Sequence, residues 1–219
     1  MDMAQMHKFV VLSALAFAVL IGATDQGTAQ AQTVSIVIVR HAESDNTLPT
    51  IPLSARGMAR ADLLIHTLGG VKFTHVFSSH TTRSRQQVEK VAAAHKLPVV
   101  QLPAPGSTVD GKPVTDQTTR RAPIEPVSEA LLKLPAGSVA LVGLNSENIY
   151  AILNKLGVPV ASAGTTCEQG SMCVPCTSNE CYPLKEFDHL WHVVRQPGRS
   201  EPLAYIELRY GAGWPGPRS

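Results

Sequence analysis

A chain of 219 residues, 44% hydrophobic and 16% charged, is long enough to bury one sizeable core, and no segment longer than a loop has the composition of a linker. The formal net charge is +2, and removal of a leader holding Lys8, Asp2 and Asp25 would leave +3. So small a charge excludes a nucleic-acid partner and suits a small anionic ligand held by a local group of cations.

The first residues read as an address. His7 and Lys8 lead into an uncharged run from Phe9 to Gly22, and Ala29-Gln30-Ala31 sets small residues at the two positions that a signal peptidase inspects. Residues 1–31 are therefore expected to be a signal peptide, with residues 32–219 as a single mature domain that is exported, periplasmic or secreted. The uncharged run is shorter than the ~20 residues a bilayer span needs, so no stable membrane span is expected after cleavage.

Thr33 to Val39 is an apolar, β-branched strand that ends abruptly in Arg40-His41-Ala42-Glu43. An imidazole and a permanent cation thus stand at a strand's carboxyl end, where open α/β sheets bind ligands. Ala55 to Leu68 carries Met58, Leu63, Leu64 and Leu68 at near-helical spacing and stops at Gly69-Gly70. Thr74 to Phe77 reads as a short buried strand, Thr82 to His95 as a helix beginning beside its end, and Leu97 to Val100 as another short strand.

From Gln101 to Pro126 the composition shifts to Pro, Gly, Thr and Asp, which marks a long surface excursion. Regular structure resumes with a helix over Val127 to Leu134, a strand over Ser138 to Val142 and a helix over Glu147 to Leu156. Two final strands follow at Leu190 to Arg195 and Ala204 to Tyr210. This alternation predicts an α/β fold, a three-layer α/β/α sandwich around a mostly parallel central sheet.

All four cysteines, Cys167, Cys173, Cys176 and Cys181, fall in a Cys-rich loop at 166–182. In an exported chain an even, closely spaced set is expected to form two disulfides, with three pairings open. The alternative is a zinc knuckle built on the CxxC of Cys173 and Cys176, but such sites usually pair two knuckles and the outer spacings do not supply a second.

Three strand ends carry the chemistry: Arg40-His41, Ser78-Ser79-His80-Thr81-Thr82-Arg83, and Gly143-Leu144-Asn145-Ser146. A loop turning directly into a helix offers free N–H groups and a positive dipole end to an anion. Arg40 and Arg83 add forked donors for phosphate oxygens, and His41 between them is a candidate nucleophile. His75, His95, His189 and His192 show no ligand spacing and read as surface or core imidazoles, His80 reads as a rim residue, and Trp191 and Tyr210 read as packing residues.

At these residues the chain resembles the histidine phosphatase superfamily, the phosphoglycerate mutase-like proteins. Val39-Arg40-His41-Ala42-Glu43 resembles the family's RHG/RHA-E signature, and Leu53-Ser54-Ala55-Arg56-Gly57 with Arg60-Ala61 is similar to its L-S/T-x-x-G and Q/R-A stretch. Ser78 to Arg83, with Gln86 and Gln87 following, is similar to its S-S-x-x-x-R element. The tail Phe187-Asp188-His189-Leu190-Trp191 and Leu208-Arg209-Tyr210-Gly211 is similar to that of a secreted bacterial branch.

The resemblance implies that His41 is phosphorylated on its imidazole while Arg40 and Arg83 hold the phosphoryl group. A water would then hydrolyse the phosphohistidine, so no metal and no organic cofactor is implied, and the partner is a small phosphorylated substrate or phosphate. The family's second histidine, in a V-G-H-S-N-T-like turn, is missing. Leu144 or Asn145 stands in its place according to the direction of counting, and Asn145 can donate a hydrogen bond to a phosphoryl oxygen but supplies no charge.

For the general acid the family's arrangement implies a carboxylate between the two later motifs. Asp110, Asp116, Glu125 and Glu129 qualify by position and Glu147 lies in the altered turn; Glu125, ahead of a helix after the long loop, is the choice. Glu43 either orients the site or the turn backbone. The expected function is a phosphomonoester hydrolase, slow or narrow in substrate. Its alternatives are a catalytically impaired phosphate-binding pseudophosphatase of the cell envelope and an envelope interaction protein using its Cys-rich loop.

Overall fold

The computed structural model describes residues 32–45, 50–103, 108–109, 112–113, 124–159 and 186–211. The expected signal peptide, the Cys-rich loop with all four cysteines, and the acid candidates Asp110 and Asp116 lie outside the described residues.

The strands are β1 (Val34–Arg40), β2 (His75–Ser78), β3 (Val99–Gln101), β4 (Thr108–Val109), β5 (Lys112–Pro113), β6 (Val139–Leu144), β7 (His189–Arg195) and β8 (Ala204–Arg209). The helices are α1 (Ala55–Leu68), α2 (Thr82–Ala94), α3 (Ile124–Leu132) and α4 (Ser146–Lys155). Helix α3 starts a few residues before the expected position, and the excursion after Gln101 contains the small antiparallel pair β4–β5, which its Pro- and Gly-rich composition concealed.

The main sheet runs β3-β2-β6-β1-β7-β8. β3, β2, β6 and β1 are mutually parallel, and β7 and β8 add an antiparallel hairpin on the β1 side. Ile36 to Val39 of β1 read as an unbroken apolar run because both faces of the sheet are covered there. Ile36 and Ile38 point into a core with Ala140, Val142, Trp191 and Val193 of the sheet and with Val127, Leu131, Ile149 and Ile152 of α3 and α4. The alternate residues Val37 and Val39 join Leu141 and Leu190 against Leu64, Leu68, Val88 and Val91 of α1 and α2. Each fully buried side chain of this kind contributes roughly 1.5–3 kcal/mol, and together they fix the strand register.

Two glycines set how closely the layers approach. A Cβ on Gly143 of β6 would lie 2.6 Å from the Ser84 carbonyl and 2.9 Å from Val88 Cγ1, so its absence lets the first turn of α2 sit against the strand end. A Cβ on Gly57 would lie 2.1 Å from the Glu43 carbonyl oxygen. That carbonyl accepts the Ser54 N–H at 2.9 Å, and Ser54 Oγ in turn caps α1 by accepting the Gly57 N–H at 3.2 Å. The L-S-x-x-G stretch thus clamps the turn that follows His41.

Candidate active site

The carboxyl ends of β1, β2 and β6 lie side by side in the sheet, and backbone bonds extend their pairing into the loops. The His41 N–H donates to the Leu144 carbonyl at 2.9 Å and the Ser79 N–H to the Gly143 carbonyl at 2.8 Å. All three motifs are therefore fixed to one edge of the sheet.

His41 is buried, and both its ring nitrogens are accounted for. Nδ1 lies 2.7 Å from the Ala42 carbonyl, which accepts only, so Nδ1 carries the proton. Nε2 therefore bears the lone pair, and it accepts a hydrogen bond from Arg83 Nε at 2.9 Å. Burial, followed by the charges of Arg40 and Arg83, holds the imidazole well below its ordinary value, and the Ala42 hydrogen bond opposes this only in part. The outcome is a neutral imidazole with a nucleophilic nitrogen facing a guanidinium.

Arg40 completes the group from β1. Its Nη1 donates to the Glu186 carbonyl at 2.6 Å, and its Cζ lies 4.1 Å from the centre of the Phe187 ring. The same ring is 6.2 Å from that of His41, tilted by 52°. Phe187 therefore covers both residues of the Arg-His pair.

Leu144 is fully buried in the apolar core and does not face this group. Asn145 takes the N-cap position of α4 and is also buried. Its Oδ1 lies 2.7 Å from Ser84 Oγ, 2.9 Å from Thr81 Oγ1 and 3.2 Å from Ser79 Oγ. Asn145 thus ties the loop that carries Arg83 to the end of β6, and its oxygen is directed at hydroxyls. Only its amide nitrogen is left to serve an anion.

Glu125 is not brought to this group. It sits in the first turn of α3 with its side chain 69% exposed, and its carboxylate lies 3.8 Å from Lys155 Nζ. Lys155 is the last residue of α4 whereas Asn145 caps its first turn, so the length of that helix, ~1.5 Å per residue, separates the two. Its place ahead of a helix made Glu125 plausible in sequence, but that helix runs along the face of the sheet. Glu129 is exposed and paired with Lys133 at 3.0 Å, and of Glu147 only the helical backbone is described.

Glu43 serves the turn. Arg60 grips its carboxylate with Nε and Nη2 at 3.0 and 2.8 Å, and Arg56 Nε adds a contact at 3.0 Å. Burial raises the Glu43 carboxyl, but the Arg60 hydrogen bonds and the charges of Arg60 and Arg56 outweigh it and hold it below the ordinary carboxylate range. Gln87 has a part that sequence does not assign it: its buried Oε1 accepts the Ala42 N–H at 3.0 Å while its Nε2 donates to the Tyr210 hydroxyl at 3.0 Å. Its position four residues after Arg83, on the same helix face, was the available signal. Gln86 likewise accepts the Leu53 N–H at 2.8 Å.

Among the described residues one group has the donor atoms of a metal site: Glu186, Asp188 and His189. Its donor atoms are already paired within the protein. Arg209 pairs with Glu186 at 3.0 Å and with Asp188 at 3.3 Å, and both His189 nitrogens rest on carboxylates, so it is an ion-pair cluster. No described helix is long and apolar enough to cross a membrane.

Fold and site together define a three-layer α/β/α sandwich with an Arg-His pair and a second arginine meeting at the carboxyl ends of its parallel strands. The model of the histidine phosphatase superfamily (branch 1) matches residues 36–104, which hold Arg40, His41 and Arg83. The chain is similar in structure to the protein histidine phosphatase SixA solved with tungstate, with a TM-score of 0.52 and 17% identity over 80% of this chain and 96% of that one. A phosphoglycerate mutase from Plasmodium falciparum matches with a TM-score of 0.47 and 15% identity over 82% of this chain and 91% of that one. A mycobacterial glucosyl-3-phosphoglycerate phosphatase matches at 0.43 and 15% over 57% and 79%. No curated protein sequence matches the chain. The family model thus covers the first part of the described sheet and the motifs at its edge, and the likeness to SixA is one of fold.

Proposed function

We propose that this chain is a phosphomonoester hydrolase that works through a phosphohistidine on His41. The observation that carries the reading is the state of that imidazole: neutral, with Nδ1–H fixed on the Ala42 carbonyl and the Nε2 lone pair beside the Arg83 guanidinium. An incoming phosphoryl group draws Arg83 from Nε2 to its own oxygens, with Arg40 as the second cation. Nε2 then attacks phosphorus, the bond to the ester oxygen breaks, and that oxygen leaves as an oxyanion that takes its proton from solvent water. Water next attacks the phosphorus of the phosphohistidine, the P–N bond breaks, and inorganic phosphate departs with His41 restored. Positioning and charge stabilisation supply most of such a reaction's rate.

Asn145 favours slow turnover. In the place of a second histidine it gives at most one neutral donor, and loss of a preorganised donor costs on the order of 10²–10³ in rate. With Glu125 turned to Lys155, substrates whose leaving group needs little protonation, such as aryl phosphates, are turned over faster than alkyl phosphates. The same saturation of Oδ1 favours the second reading, a phosphate-binding pseudophosphatase.

Hydrolysis of p-nitrophenyl phosphate by the wild-type chain and by His41→Ala separates them. Turnover abolished by the substitution, with acid-labile phosphate trapped at Nε2, supports the hydrolase. Absent turnover with phosphate-induced thermal stabilisation that is lost in Arg83→Ala supports the binder. Export rests on the leader alone, and N-terminal sequencing of the mature protein should begin at Gln32.

A further inference from the structure

Arg40 takes both its backbone acceptor and its aromatic cover from two consecutive residues ahead of β7, the Glu186 carbonyl at 2.6 Å and the Phe187 ring at 4.1 Å. These two residues lie across the guanidinium like a strap, and the strap is itself tethered. The Glu186 carboxylate bonds His189 Nε2 and takes Arg209 Nη2 at 3.0 Å, while His189 Nδ1 bonds the Glu207 carboxylate on β8. Asp188, next in the chain, is held by Arg209 Nη1 at 3.3 Å.

We propose that the ion-pair cluster of Glu186, His189, Glu207 and Arg209 is a positioning device for Arg40, in which His189, acting through Glu186, sets the geometry of phosphoryl binding. This rests on the reading of Arg40 as a phosphoryl ligand. His189 meets a carboxylate at each ring nitrogen, so both nitrogens must carry protons, and a neutral ring would set a lone pair against a carboxylate. The ring is buried and lies over Trp191 at 5.5 Å and 22°. The groups that face it are Glu186 and Asp188 from the lead-in to β7, Glu207 and Arg209 from β8, and beyond Trp191 the Tyr150 ring of α4. Burial alone would lower the imidazole, but the hydrogen bonds to Glu207 and Glu186 carry it above its ordinary value. Tyr150, raised to about 12 by burial and by Glu207 and Glu186, stays neutral throughout. Loss of the His189 proton therefore releases one tether and lets the strap shift, whereas Arg40 itself never titrates.

The test uses two readouts on the full chain. The first is the side-chain N–H signal of Arg40 in the ligand-free protein, by NMR. The second is the affinity for tungstate, which keeps its charge over the range from about pH 6 to about pH 9, where an imidazole titrates. In the wild type, protection of the Arg40 signal and tungstate affinity should fall together as pH rises through the His189 ionisation. Glu186→Gln, which spares the carbonyl that Arg40 uses, should weaken both at all pH values. A displacement of ~1 Å lowers tungstate affinity and turnover by up to about 10²-fold. His189→Arg, with a permanent charge and several donors, should flatten the pH dependence. An Arg40 signal unmoved in Glu186→Gln, or a wild-type pH profile retained in His189→Arg, overturns the proposal. A wild-type chain that binds no tungstate and hydrolyses no p-nitrophenyl phosphate refutes the phosphatase reading, and the Arg40 signal then still decides whether the strap exists.

Discussion

Asn145→Ala tests what the buried amide at the end of β6 does. In the folded protein its Oδ1 is within hydrogen-bond distance of three hydroxyls, those of Ser84, Thr81 and Ser79, at 2.7, 2.9 and 3.2 Å. A carbonyl oxygen has two lone pairs, and the hydroxyls also reach one another, Thr81 to Ser84 at 2.9 Å and Ser79 to Thr81 at 3.2 Å. Truncation therefore strands about one donor rather than three, because the other hydroxyl protons can pass along that chain. A stranded buried donor costs ~1–3 kcal/mol, which is the destabilisation expected. Urea unfolding measures it as a lower midpoint at unchanged slope. Asn145→Asp keeps the acceptor and hence the stability at neutral pH, but its charge opposes an anion and raises KM for an aryl phosphate. Equal unfolding midpoints for wild type and Asn145→Ala would refute the view that this side chain ties the two loops together.

The acid limb of kcat/KM should lie below the ordinary imidazole range, because burial and the two arginines keep His41 neutral there; Arg83→Gln should move that limb upward and slow turnover on the order of 10²–10³-fold, and an unmoved limb would contradict the Arg83–His41 contact. Gly57→Ala sets a Cβ 2.1 Å from the Glu43 carbonyl and should cost ~1–3 kcal/mol or prevent folding, as read by thermal unfolding. Arg60→Ala leaves the Glu43 carboxylate with its own backbone N–H and the exposed Arg56 and should cost ~3–5 kcal/mol. Because the Glu43 carboxyl is lowered on folding, its contribution is present above the ordinary carboxylate range and lost as pH falls through the folded value, so Arg60→Ala should also flatten the acid side of the stability profile. For His189, raised on folding, the sign reverses: its contribution is full below the ordinary imidazole value and disappears as pH rises through the folded one.

The sheet was legible because its inner strands β1, β2 and β6 are short, rich in apolar residues and buried, and because each helix turned at a glycine or a change of composition. β1, β2 and β6 appeared where the apolar runs stood, and Arg40, His41 and Arg83 met because Arg40 and His41 stand at the end of β1 and Arg83 in the first turn of the helix that follows β2. Glu125 failed for the converse reason. Position before a helix says nothing about which end of that helix faces the site, and its charge found Lys155 at the far end of α4 instead. His189 and Glu186 were invisible as partners of Arg40 because the link passes through a main-chain carbonyl, which any residue supplies. Sequence left Leu144 and Asn145 both open at the turn after β6, because the partners of Asn145 on α2 and the preceding loop are set by the close approach at Gly143, a tertiary fact.

The bond from Arg83 to His41 Nε2 means that the resting protein keeps its reactive nitrogen under guard. A neutral ester or an alkylating compound offers the guanidinium nothing in exchange for that lone pair. A dianion does, and by drawing the cation aside it uncovers the nucleophile at the moment it arrives. On the proposed phosphatase reading, admission by charge of this kind would make a discriminating enzyme, since the pocket ignores electrophiles that cannot first engage its sentry.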